Sequence, residues 1–505
     1  MRLNVLIGGK AGQGINKISE IVSSVLVKHG YFTFNYRDYQ SLIRGGHNFN
    51  VLSISDERVG SNESKLDCII ALDENTIEVH KNKLKKSGFS ISFKGFENLG
   101  KNLNVALAGA LIKVLGIEKE VFIHEIEKEF GKEAVEAVKK GYDSQKVKFN
   151  LKKLNNKIEI MTGSQAVALG AINSGINLYL AYPMTPATGV LHELASKQKE
   201  HDFLVFMPEN EIAVINAGLG ASFTGKKVMV GTSGGGFDLM TEALSFSGMS
   251  EIPIVVYLAS RSGPSTGVPT YTCQSDLDVA LRAGHGEFPR VVIAPGDPIE
   301  ACEKTNEAFY LANRFNIPAI ILSDKHLAES EFSSDRKANE TLSIKLNRKI
   351  PGKEIVKASS YEHDEQGNTT ESAEITRKNA EKRMKKYDEI KKESKKFQMI
   401  KIYGKKDSKN LVIGWGSTKT VILDAMKDLD FKFLQVLYLK PISDEIKKEI
   451  EKAKKVIIVE NNVTGQLGRL IREKTGIKIE NRILKYDARP FLCDELREEI
   501  LKVGK

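Results

Sequence analysis

Cysteine is scarce: Cys68, Cys273, Cys302 and Cys493 are scattered along 505 residues, with no CxxC pair among them. That spacing excludes a disulfide framework, a zinc knuckle and an iron–sulfur cluster held by this chain alone. A reducing, cytoplasmic compartment is the expectation. Long apolar runs are missing too, so no segment approaches the length of a membrane span. The N-terminal run Leu3–Ile7 ends in Gly8-Gly9, without a basic region before it or a small-residue cleavage site after it. It reads as a first strand rather than a signal peptide. Aromatics are thin where the basic residues crowd: from Lys382 to Phe397 only Tyr387 and Phe397 are interleaved with the charge. A nucleic-acid site would need more than that, despite the net charge of +10. The stretch reads as a solvated helix, with docking of an acidic protein partner as the second reading.

What is present is an α/β pattern. The chain is too long for one core, and about three domains is the natural expectation. Hydrophobic residues at 41% and 41 glycines suit many strand-to-helix turns. Residues 1–155 open with strand Leu3–Ile7, the turn Gly8–Gly14 and a helix Ile15–Lys28 whose Ile18, Ile21, Val22, Val25 and Leu26 share one face. Such a turn can cradle a phosphate, but close strand–helix packing explains its glycines equally. It is neither GxGxxG nor a P-loop. Likewise Arg44-Gly45-Gly46 before strand Phe49–Ser55 reads either as an anion site or as a plain turn.

Residues 156–329 alternate strands and amphipathic helices, which implies a parallel sheet covered on both faces. Ligands in such sheets bind at the carboxyl ends of strands. Those ends carry Tyr182–Thr188, Glu209–Glu211, Ser233–Gly236 and Arg261–Thr270. Pro183 and Pro186 stiffen the first of these segments around Thr185; the alternative is an ordinary strand-to-helix turn. Residues 330–408 are expected as a charged excursion. Its Glu362-His363-Asp364-Glu365 superficially resembles a metal cluster, but adjacent side chains diverge and no metal site is expected. Residues 409–505 form a last α/β unit with strands Leu411–Trp415 and Val456–Glu460. It lacks a nucleophile–base pair, so a structural or docking role is expected.

The central motifs, in their order, resemble the α subunit of the 2-oxoacid:ferredoxin oxidoreductases, which are thiamine-diphosphate enzymes. Tyr182-Pro-Met-Thr-Pro-Ala-Thr188 is similar to that family's Tyr-Pro-Ile-Thr-Pro-Ser-Thr signature, departing at Met184 and Ala187. Pro208-Glu-Asn-Glu211, Thr232-Ser-Gly-Gly-Gly236, Arg261–Thr270 and Gly284–Arg290 resemble its further motifs. Residues 1–155 look like its γ subunit fused ahead of α, although Lys10 and Ala11 depart from the usual first turn. Gly414–Thr418 with Gly465-Gln466 resembles a transketolase C-terminal-like domain. The implied fold is multidomain α/β: a Rossmann-like γ-type domain, a thiamine pyrimidine-type parallel-sheet domain and a transketolase C-terminal-like domain.

The resemblance assigns roles. Thiamine diphosphate supplies the electron sink for the carbanion that departing CO2 would leave. Glu211 matches the carboxylate that activates the cofactor through its pyrimidine ring; a dipole-stabilised helix start is the alternative, and Glu209 could fill that lesser role. Arg261 would clamp the substrate carboxylate, the alternative being a salt bridge inside its loop. Thr185, Thr266 and Thr270 would line the substrate pocket, with Tyr182, Pro183, Gly234 and Gly235 on the cofactor side. The Gly-Asp-Gly…Asn arrangement for Mg2+ and pyrophosphate is missing, as are cluster cysteines. In the family both lie on a separate β subunit, so Mg2+, a 4Fe-4S cluster and shared thiamine diphosphate imply that partner. Coenzyme A would be co-substrate and ferredoxin the electron acceptor, in a heterodimer or a dimer of heterodimers. Segment 362–367 and the γ–α fusion lean toward 2-oxoglutarate or a broad range over pyruvate or branched-chain 2-oxoacids. The rival readings are a self-sufficient thiamine enzyme, a non-catalytic coenzyme A- or nucleotide-binding module, and an interaction scaffold.

Overall fold

The computed structural model describes residues 1–40 and 46–504; Arg44-Gly45, singled out above, lies outside the described residues. The chain forms two compact units. The first comprises residues 1–161, 330–337 and 492–498, and the second comprises residues 162–329, 338–491 and 499–505. Among the described residues no helix is long and apolar enough to cross a membrane.

The first unit is built on a mixed sheet. Strand Arg2–Lys10 pairs antiparallel with His47–Ser55 and parallel with Leu66–Ala71. Phe32–Asp38 continues the sheet antiparallel to His47–Ser55. Residues of the expected charged excursion join it next: Glu331–Ser334 pairs antiparallel with Phe32–Asp38, and Asn35 Nδ2 donates to Glu331 Oε2 at 2.6 Å. Helix Ile15–Lys28 buries the apolar face read from its periodicity. The first glycines are close-packing residues: a Cβ at Gly8 would lie 2.8 Å from Thr76 Cγ2, and one at Gly9 2.3 Å from Gln13 Oε1.

The second unit holds two sheets. The larger runs in the order Tyr438–Lys440, Val291–Ile293, Pro318–Asp324, Ile254–Ser260, Val228–Thr232, Leu178–Ala181, Leu204–Phe206. All neighbours are parallel except Tyr438–Lys440, which runs antiparallel to Val291–Ile293. Val228–Thr232, Ile254–Ser260 and Pro318–Asp324 are buried throughout. That is why they read as unbroken apolar runs instead of alternating ones. The smaller sheet orders Ile400–Gly404, Lys432–Val436, Asn410–Trp415, Lys455–Glu460 and Asn481–Leu484, with only Ile400–Gly404 antiparallel.

A buried ionic group joins the two. Lys419 Nζ, on helix Thr418–Ala425, lies 2.5 Å from Asp297 Oδ2 and 2.6 Å from Glu300 Oε1 at the start of helix Pro298–Phe315. Gln435 Nε2 and Lys401 Nζ also donate to Glu300, at 2.6 and 3.0 Å. Burial opposes the Glu300 charge, but Lys419 and Lys401 together outweigh it and hold the carboxyl below its usual range.

The basic helix, Ala373–Ser394, is strapped down by acids of its own unit rather than merely solvated. Lys382 and Lys386 both pair with Glu251, Arg383 with Glu362 at 3.0 Å, and Lys391 with Asp444 at 2.8 Å. Glu362 is thus occupied by Arg383 and Asn379, while Asp364 accepts from the Gln366 and Asn368 amides.

Lys419→Met should strand two buried carboxylates, a loss of about 3–5 kcal/mol. Urea unfolding followed by the fluorescence of Trp415, the single tryptophan, should show it. Glu300 has a depressed folded-state pKa, so its stabilisation is present above the usual glutamate range and is lost as pH falls through the folded value. The parent should therefore approach the variant in acid; equal midpoints at neutral pH would contradict the arrangement.

Candidate active site at the switch point of the central sheet

Strand Leu178–Ala181 has Leu204–Phe206 on one side and Val228–Thr232 on the other. The chain therefore leaves Leu178–Ala181 toward one edge, then crosses back to the other side. Such a reversal opens a crevice at the carboxyl ends of the strands. Tyr182–Thr188, Glu211, Ser233–Gly236 and Arg261–Thr270 all follow strands that end there.

Glu211 is the first residue of helix Glu211–Phe223, whose start is fixed by Asn210 accepting from the Ala213 amide at 2.8 Å. The carboxyl is buried, whereas Glu209 is exposed. Across from it the glycine segment is already helical. Helix Gly234–Leu239 begins at the first of its glycines and is followed by Thr241–Ser250, where periodicity predicts one helix from Phe237 to Met249. None of the glycines has a positive φ; they are required by proximity. A Cβ at Gly236 would stand 2.7 Å from Glu211 Oε1 and 2.2 Å from Thr232 Oγ1, and one at Gly234 2.6 Å from Asp276 Oδ2. At Gly235 it would meet nothing within 4 Å, so that glycine faces open space.

Arg261 Nη1 donates to the Thr185 carbonyl at 2.9 Å, tying the proline-stiffened turn to the arginine loop. Burial lowers the guanidinium's pKa, and the charges of Asp276 and Glu211 counter that. Thr270 is buried at the foot of the loop. Thr266 is exposed at its tip, beyond the bridge between Ser262 and Val268, and is not gathered with the others. Tyr182 and Pro183 are exposed at the rim.

Sequence reasoning missed Asp276, and it gave Ser233, at the head of the glycine segment, no role of its own. Asp276 precedes helix Leu277–Arg282 and looks like an ordinary cap, yet its side chain makes no capping bond. Burial pushes its carboxyl above the usual range; Asp238 adds to this and Arg261 works against it. Glu211 Oε1, Ser233 Oγ, Arg261 Nε, Thr270 Oγ1 and Asp276 Oδ2 are all buried without a hydrogen-bond partner. Buried polar atoms in folded proteins are almost always satisfied, so this concentration marks a place prepared for another molecule. Chemically the crevice offers two carboxyls, a guanidinium and hydroxyls around an open glycine face.

Residues 169–399 match the family described as pyruvate flavodoxin/ferredoxin oxidoreductase, thiamine diphosphate-binding, and residues 4–99 match pyruvate ferredoxin/flavodoxin oxidoreductase. The 2-oxoacid:ferredoxin oxidoreductase subunit alpha of Sulfolobus sp is 32% identical, over 100% of this chain and 97% of its own. The 2-oxoglutarate synthase subunit KorA of Archaeoglobus fulgidus is 31% identical over 63% of this chain and 90% of its own. A solved 2-oxoglutarate:ferredoxin oxidoreductase from Magnetococcus marinus, holding 2-oxoglutarate, coenzyme A and succinyl-CoA, superposes with a TM-score of 0.89 at 26% identity, over 99% of both chains. The motifs gathered at the crevice and the likeness along the whole length agree: the chain belongs to the 2-oxoacid:ferredoxin oxidoreductases as an alpha subunit with a thiamine diphosphate-binding domain.

Proposed function

We propose that this subunit supplies the pyrimidine side of a thiamine-dependent site that converts a 2-oxoacid, coenzyme A and oxidised ferredoxin to acyl-CoA, CO2 and reduced ferredoxin. The observation that carries the reading is the buried Glu211 carboxyl, held against Gly236 with one oxygen unpartnered. That donor set fits a heteroaromatic ring nitrogen, and the open face at Gly235 fits a flat ring beside it. Thiamine diphosphate, when bound, supplies the electron sink for decarboxylation. Glu211 would hold a proton between its unpartnered oxygen and the ring nitrogen. Tyr182, Pro183, Gly234 and Gly235 border the ring. Arg261 takes the substrate carboxylate with its free donors, Thr185 donates to the carboxylate or the carbonyl oxygen, and Thr270 lines the pocket, with Thr266 at the exposed tip of the same loop.

The substrate reading is 2-oxoglutarate or a broad range, supported by the 2-oxoglutarate synthase relatives and the ligands of the Magnetococcus marinus enzyme. Mg2+, the pyrophosphate contacts and a 4Fe-4S cluster belong to a β partner, in a heterodimer or dimer of heterodimers in the cytoplasm. Support for a covering partner comes from the exposed side chains of Leu204, Phe206, Met207, Ile212 and Leu239, which cluster on the elements around Glu211. Apolar surface so concentrated marks an interaction site.

The chain alone, given thiamine diphosphate, Mg2+, coenzyme A, 2-oxoacid and ferredoxin, should be inactive, and adding the β subunit should restore turnover. Robust activity without a partner would refute the shared site. In the reconstituted complex, Arg261→Lys should weaken use of the 2-oxoacid while cofactor binding persists, because an ammonium cannot make two parallel hydrogen bonds. Unchanged kinetics toward every 2-oxoacid would contradict the clamp. Glu211→Gln should assemble and bind cofactor but lose about a hundredfold or more of C2–H deuterium exchange. Glu209→Gln, exposed and one residue ahead of the Asn210 cap, should cost far less. A larger loss at Glu209 would place the activating carboxylate two residues away.

A further inference from the structure

The smaller sheet of the second unit ends on one short segment of the site. At the end of strand Asn410–Trp415 the Trp415 carbonyl accepts from Gln274 Nε2 at 2.8 Å. Just past strand Lys455–Glu460, the Asn461 amide donates to Gln274 Oε1 at 3.0 Å, and the Asn461 carbonyl accepts from the Gln274 amide at 2.7 Å. Asn462 Nδ2 donates to the Gln274 carbonyl at 3.2 Å. Gln466 closes the clamp: its Nε2 donates to the Ser275 carbonyl at 2.7 Å and its Oε1 accepts from the Asp278 amide at 3.2 Å. Asn462 is itself fixed by Glu460 Oε2 at 2.9 Å. The residue immobilised between these contacts is Asp276.

Asp276 is poorly explained as a structural acid. It makes no cap bond to the helix it begins, and Oδ2 is buried without a partner against Gly234. A buried carboxyl left partly unsatisfied is costly, so something else must favour it. Its neighbour in the crevice is Arg261, whose Nε is also buried and unpartnered. The two are near enough for their charges to interact, yet among the described residues they form no direct ion pair. The guanidinium thus keeps donors for a ligand beside a carboxyl whose charge, when ionised, acts strongly where water is excluded.

We infer that Asp276, held by the clamp from the smaller sheet, is a positioning residue that sets how Arg261 meets the substrate carboxylate. This rests on the reading of Arg261 as the carboxylate clamp. The groups facing Asp276 are Asp238 from the glycine-led helix, Arg261 from its loop, and the Ser260 and Ser275 hydroxyls. Protonating Asp276 would remove the positioning charge, so KM for the 2-oxoacid should rise as pH falls through its titration.

The test uses the reconstituted complex with 2-oxoglutarate, reading KM and kcat against pH, thiamine diphosphate affinity and the thermal midpoint. Asp276→Asn should raise KM by about tenfold with a smaller change in kcat, keep cofactor affinity and midpoint, and abolish the acid rise in KM. Gln466→Ala keeps the charge but loosens its support, and should raise KM by a smaller factor. In an Arg261→Lys background either substitution should add little, because the residue it acts through has already changed. Fully additive losses, or unchanged KM and pH profile in Asp276→Asn, overturn the inference. Unchanged KM in Arg261→Lys alone instead overturns the clamp reading beneath it. Should Asp276→Asn not fold, Gln466→Ala with and without Arg261→Lys decides by the same criterion.

Discussion

The space left by two absent side chains organises this site. Glu211 reaches Gly236 from the start of one helix, and Asp276 reaches Gly234 from the start of another. Any residue larger than glycine at either position would overlap a carboxyl oxygen or force it away. Because the glycines are helical rather than in left-handed conformations, conformational freedom is not what selects them. Close approach is. The consequence is electrostatic: two carboxyls and one guanidinium share a buried crevice with few internal hydrogen bonds, a state with value only when another molecule completes it.

Holding such a crevice open requires support from outside it. The parallel strands are buried on both faces and form a rigid floor. The smaller sheet then grips segment Gln274–Asp278, while the Lys419–Asp297–Glu300 group fastens the same sheet to helix Pro298–Phe315. A sheet without catalytic groups therefore has a mechanical part in the chemistry. Buried ionic groups of this kind need every partner present, which makes them demanding about geometry and suits them to fixing one arrangement.

The surface charge tells a related story. The crowded lysines of Ala373–Ser394 look free in sequence, but Glu251, Glu362 and Asp444 come from distant parts of the unit to meet them. A basic run is then a strap across the fold, and the net charge alone says little about what the protein binds. Around Glu211, by contrast, Leu204, Phe206, Met207, Ile212 and Leu239 are exposed, an apolar surface of the kind a partner would cover.

By itself the sequence determined the alternation of strand and helix and the burial of the parallel sheet. Leu178–Ala181 and Val228–Thr232 fall where their apolar runs place them, because period and burial are local properties of the chain. Motif order also carried the family and placed Thr185, Glu211 and Arg261 after strands of one sheet, though the bond from Arg261 to the Thr185 carbonyl was not written there. Only the tertiary structure decided the rest. Asp276 reads locally as a cap, and its role depends on Gly234, Arg261, Asn462 and Gln466, up to 190 or so residues away. Residues 331–334 read as part of a charged excursion, yet they complete a sheet begun near residue 2. The physical reason is the same in each case: backbone preference and periodicity are written in neighbours, whereas a hydrogen-bond partner, an ion pair or a missing Cβ acquires meaning only when distant segments are brought within a few ångströms.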